Sequence, residues 1–108
     1  MAELGANHHE TMAFDVAESA DRTVTVRLAG ELDITNVDAL ASAVAPALER
    51  AQRMVVDVRE LRFADSSAIA LWVQWAGAVP EIELRDAPAL MRRVVESMGL
   101  AETLNVTP

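Results

Sequence analysis

Residues 54–75, MVVDVRELRFADSSAIALWVQW, limit what this chain can fold into more than any other stretch. Met54-Val55-Val56-Asp57-Val58 is a β-branched run that predicts a buried strand. After a short loop, the nearly unbroken apolar segment opening on Asp65-Ser66-Ser67 predicts a helix whose first turn those polar residues cap. A βα junction of this kind places polar side chains at a helix N-terminus, where unpaired backbone N–H groups and the positive end of the helix dipole gather. A phosphate added to Ser66 or Ser67 would be favourably placed there.

The rest of the chain supplies partners for this unit. Thr11 to Val16 is an expected first strand, and Thr23 to Ala29 a second, because Val24, Val26 and Leu28 alternate with Thr23, Thr25 and Arg27. Gly30 is expected to end it. Asp33, Thr35 or Asn36 caps a helix whose apolar face is Val37, Leu40, Ala41, Val44 and Leu48, with a kink or break expected at Pro46. Glu81 to Arg85 alternates again. Pro88 then opens a helix with the stripe Leu90, Met91, Val94, Val95 and Met98, which Gly99 terminates, and Thr103 to Thr107 is expected to form a last short strand. Two cleanly alternating strands imply a sheet with one solvated face, so the helices should lie mainly on the other side.

In the central helix, Ile69, Trp72, Val73 and Ala76 fall on one face, assigned to the core, while Ser67, Leu71, Gln74 and Trp75 fall on another. Two readings follow for that second face. Trp75 packs under the 77–81 turn, or Leu71 and Trp75 extend from the Ser67 end as a docking surface with Gln74 between them.

With 108 residues, 52% of them apolar, the chain is expected to be one domain spanning 11–108 behind a polar, disordered tail at 1–10. His8 and His9 stand in that tail and are read as solvated. The formal charge of −8, carried by nine Arg, no Lys and 17 acids, argues against binding nucleic acid. Without cysteine there is neither a disulfide framework nor a thiolate metal site. The longest apolar run, Ala68 to Val73, is far short of the roughly 20 residues that span a bilayer. The N-terminus has neither a basic start nor an apolar signal core. A soluble, cytoplasmic protein with no cofactor is expected.

Catalysis finds little support. A nucleophilic Ser66 needs a base, yet both histidines lie in the tail, and there is no G-x-S-x-G elbow or H-E-x-x-H pair. A phospho-aspartate receiver built on Asp57 lacks the required lysine, and the four dispersed glycines make no phosphate-cradling loop.

Phe63-Ala64-Asp65-Ser66-Ser67-Ala68 resembles the phosphorylation motif of bacterial anti-sigma factor antagonists in the STAS domain superfamily, and Gly30-Glu31-Leu32-Asp33 resembles that family's second recurrent signature. Their order and spacing, with the ending Met98-Gly99-Leu100, extend the resemblance over nearly the whole chain. It implies an α/β fold, a small mixed sheet with helices mainly on one face. It also implies a protein that binds an anti-sigma factor that is a serine kinase, is inactivated by phosphorylation and is restored by a serine phosphatase. The acceptor implied is Ser66, with Ser67 its neighbour. The partner surface implied takes in Asp33, Thr35, Asp65, Ser66 and Ser67, and on the docking reading Leu71, Gln74 and Trp75. The free protein is expected to be a monomer. Ala68 departs from the pattern, since many members have Gly there. The competing resemblance is to STAS subunits that dock constitutively on an ABC-transporter ATPase in lipid transport, without a switch.

Overall fold

Met54, Val56 and Val58 on the central strand, Val24, Val26 and Leu28 on the strand before it, and Ile82 and Leu84 on the strand after it form one apolar sheet face. The molecule is assembled on that face. The structure, a computed structural model, describes residues 12–108; the expected tail at 1–10, with His8 and His9, and the strand start at Thr11 lie outside the described residues. In order the elements are β1 (Met12–Glu18), β2 (Thr23–Leu32), α1 (Val37–Leu48), β3 (Arg53–Ala64), α2 (Ser66–Ala78), β4 (Glu81–Arg85), α3 (Ala89–Ser97) and α4 (Ala101–Leu104). The sheet runs β1-β2-β3-β4, with β1 antiparallel to β2 and the other pairs parallel, so it is mixed as expected.

The strand order also explains why the helices share a side. Both parallel connections, β2-α1-β3 and β3-α2-β4, step the same way along the sheet, and right-handed crossovers then put α1 and α2 on the same face. α2 lies between α1 and α4 there and buries Trp72 completely. The opposite face is polar. A row of alternating charge crosses it, Asp15, Arg27, Asp57 and Arg85 standing side by side in register. Glu83 accepts from Arg53 at 2.8 Å, from Arg85 at 3.0 Å and from the Thr107 hydroxyl at 3.1 Å, which ties the C-terminal segment to β4.

Several boundaries differ from the sequence expectation. Gly30 does not end β2; it bends it, at φ +90°, and the strand continues to Leu32. The supposed loop after Val58 is strand through Ala64. Arg27 pairs with Asp57 and Ala29 with Glu60, then Gly30 with Leu61 and Glu31 with Phe63, so β3 carries two extra residues relative to β2. Each is a bulge that resets which side chains face the core. α1 runs unbroken through Pro46, which is exposed two residues before the helix ends, where few turns remain to distort. In place of a strand over Thr103–Thr107 there is the single turn α4, followed by one bridge from Val106 to Leu84.

Candidate functional site

β2 and β3 run parallel, so their carboxyl ends and the loops that follow emerge at one edge of the sheet, the usual place for a binding site in such folds. The two loops are hydrogen-bonded into one unit. Asp65 N–H donates to Leu32 O at 3.2 Å, and Ile34 N–H donates to Asp65 Oδ2 at 3.1 Å. Asp65 Oδ1 accepts the N–H groups of Ser67 at 2.9 Å and Ala68 at 3.2 Å, so it caps α2, and it also accepts the Ser67 hydroxyl at 2.6 Å. These bonds, the Ser67 hydroxyl foremost, hold its carboxyl below the usual carboxylate range.

On the β2 side, Asp33 Oδ1 accepts both the Thr35 N–H and its hydroxyl. Asn36, buried and at the N-cap position of α1, turns its side chain back into the loop. Its Oδ1 accepts Asp33 N–H at 3.0 Å and its Nδ2 donates to Glu31 O at 2.9 Å. The GELD segment is thus a bent strand end whose last carboxylate braces the loop.

Ser66 differs from its neighbours. It is the first residue of α2, it is exposed, and its hydroxyl makes no hydrogen bond among the described residues, whereas those of Ser67 and Thr35 are both committed to carboxylates. The Ser66 oxygen, with no hydrogen bond of its own among the described residues, stands at the mouth of α2 directly after the Asp65 cap. Two of the N–H donors at this helix end are already occupied, since Asp65 takes those of Ser67 and Ala68. An added phosphate would therefore stand out in solvent beside a carboxylate. Ala68 is fully buried, so its methyl group lies in the core and leaves the approach to Ser66 open.

The structure brings Asp33, Thr35, Asp65, Ser66 and Ser67 together at this edge. Gln74 is exposed on the same side of α2 as Ser66 and Ala70, two turns away. Leu71 and Trp75 do not join them. They are only 5% and 4% exposed and belong to the core, because α1 and α4 flank α2 and cover it on both sides. The docking reading of these two side chains is therefore withdrawn, and what covers them is the flanking helices. The large exposed apolar residues lie elsewhere: Ile34 in the β2–α1 loop, Phe63 at the end of β3, Leu90 and Val94 along α3, and Met98 just past its end. Ile34 and Phe63 flank the two acidic ends of the motifs in sequence, a signal that was present. The outward face of α3 carried none, since its apolar stripe is wide enough to read as wholly buried. Among the described residues no cluster of three or more His, Asp or Glu side chains could hold a metal, and no helix is long and apolar enough to cross a membrane.

No curated protein matches the sequence. The fold is similar to that of the anti-sigma factor antagonist SpoIIAA in its unphosphorylated form, with a TM-score of 0.77 at 22% identity over 89% of each chain. The Bacillus cell fate determinant SpoIIAA in the phosphorylated form is similar too, at 0.71 and 24% over 89% of this chain and 92% of that one. An anti-sigma factor antagonist from Mycobacterium paratuberculosis reaches 0.81 at 19% identity, over 94% of this chain and 90% of that one. The family described as "Mlab, STAS domain" matches residues 16–107, from β1 to the C-terminal bridge, and the chain belongs to that STAS family.

Proposed function

We propose that this protein is an anti-sigma factor antagonist that binds an anti-sigma factor with serine-kinase activity and is switched off by phosphorylation at Ser66. The observation that carries this reading is the contrast between the two adjacent serines. Ser67 spends its hydroxyl on Asp65, while Ser66 presents its own to solvent. In the transfer, Ser66 Oγ bonds to the γ-phosphorus of ATP, ADP departs, and the hydroxyl proton passes to a base of the kinase. The protein is then a ligand and a substrate rather than a catalyst.

The switch follows from charge. Phosphorylation adds about −1.5 to −2 charges at neutral pH. Asp65 holds the neighbouring amides, so the new charge gains little from the helix end and is displayed outward, next to Asp33 and Asp65. A partner surface that accepted a neutral hydroxyl would then face like charge, which costs several kcal/mol at an interface. Release follows without refolding, and a serine phosphatase that removes the ester restores binding.

The test uses a candidate anti-sigma kinase from the same organism. With ATP, the intact mass should rise by one phosphate, mapped to Ser66. Ser66→Ala should stay unmodified and bound, and Ser66→Asp should bind at least tenfold more weakly, on the order of 1.4 kcal/mol. Equal affinity of the two variants would remove the switch. Binding to an ABC-transporter ATPase with no phosphate gained would replace this reading by constitutive docking.

A further inference from the structure

Next to Ser66 the surface opens into an apolar groove of about 220 Å³ between the end of β3, the first turns of α2 and α3. Its walls are Phe63 and Ile69 on one side and Leu90, Met91 and Val94 on the other. Phe63 is 51% exposed and Leu90 70%, so large apolar side chains stand in water at its rim. Other depressions differ in chemistry. One on the open sheet face sets Arg27, Asp57 and Arg59 beside Phe14 and Leu28, and one at the far end holds Arg22, Glu49 and Arg50, so each carries several charged residues.

We infer that this groove is a second docking point of the antagonist surface, and that it takes one or two large apolar side chains from an amphipathic segment of the anti-sigma factor, with an acidic residue of that segment over Arg62. The inference rests on the function proposed above. Three observations commit the groove to that occupant. Its volume is below the roughly 300–1,000 Å³ typical of small-molecule sites but suits protruding side chains, which act as anchors at interfaces. Among the described residues its one charged lining residue is Arg62, a cation in a chain of net charge −8, so the complementary partner charge is negative. It is also continuous with the switch. Ala64 precedes Asp65, and Ile69 lies one turn beyond Ser66, so the groove borders the helix end that bears Ser66. Met91 in the wall adds an adaptable surface of the kind that suits inserted side chains. A helix laid into an apolar groove is a recurrent mode of peptide recognition.

The experiment titrates the same anti-sigma kinase into the protein labelled at the methyl groups of Leu, Val and Met, and measures affinity for the wild type, Leu90→Asp and Arg62→Glu. Both substituted positions are exposed, and circular dichroism and Tm will show that the variants remain folded. The expected result is a shift of the Leu90, Met91 and Val94 methyl signals on binding, with each variant at least tenfold weaker although Ser66 is intact. If the kinase binds in a Ser66-dependent way but these methyls do not move and both variants bind as the wild type does, the groove is overturned and the switch stands. If the kinase neither binds nor phosphorylates the wild type, the functional reading falls and this inference with it.

Discussion

Asp65 serves three backbone donors, those of Ser67, Ala68 and Ile34, and a hydroxyl besides. Removing its carboxylate unpairs a helix end and a loop together. Asp65→Ala should lower unfolding free energy by about 0.5–2 kcal/mol, the usual range for a lost N-cap, measured by urea denaturation. No change would show that the cap is not what holds α2 at this end. The sequence made Asp65 legible as a cap, while Ser66 as acceptor came from the family resemblance and stands as a proposal. The sequence could not show which serine hydroxyl was spent, because a Ser67 side chain folded back on Asp65 and one turned outward have the same spelling. Asn36 was likewise readable as a cap, but its amide serves Asp33 and Glu31 instead, since the bent strand end left those backbone groups more in need of partners.

At the scale of elements, α2 reads as amphipathic only if its neighbours are known. Trp75 stands next to exposed Gln74, and a helical wheel sets it beside Leu71 on a face that either solvent or a neighbouring helix could cover. Flanking by α1 and α4 settles it as core. Trp75→Ala should therefore cost about 3–5 kcal/mol of stability, whereas Gln74→Ala should stay within about 0.5 kcal/mol, both read from thermal or urea unfolding. A stable, soluble Trp75→Ala protein would contradict the burial. β3 shows a different limit. Its first half was plain from Met54 to Val58, but the two bulges put buried Val58 and Leu61 three residues apart, which breaks the period of two by which strands are read. The charged residues between them then pass for a loop.

For the whole molecule, an excess of eight negative charges makes acid conditions informative. Asp65 and Glu83 are both held below their ordinary values of 3.8 and 4.5, Asp65 mainly by the Ser67 hydroxyl and Glu83 mainly by Arg85. A lowered native value means that the unfolded chain binds protons more readily. The stabilisation from these two groups is therefore fully present above pH 4.5 and is lost as pH falls through the native values. Tm should stay nearly level from pH 7 to about 5 and then fall, and Glu83→Gln should flatten part of that decline. A Tm that rises on acidification would reverse the assignment. The mixed sheet with its helices on one side was legible because strand alternation implies it, whereas the meeting of Asp33 and Asp65 at the carboxyl ends of β2 and β3 was implied only by the family resemblance. The groove beside α3 was not, since it exists only where α3 lies against the adjoining β3 and α2, about twenty residues earlier in the chain.

The paired bonds between Asp65 and the Leu32–Ile34 segment carry a kinetic consequence. With each loop clamped by the other, the recognition edge is already assembled before any encounter, so little ordering entropy is left to lose on contact. Association should then proceed as rigid bodies meeting, in a single exponential step whose rate climbs linearly with partner concentration and shows no plateau from a preceding rearrangement.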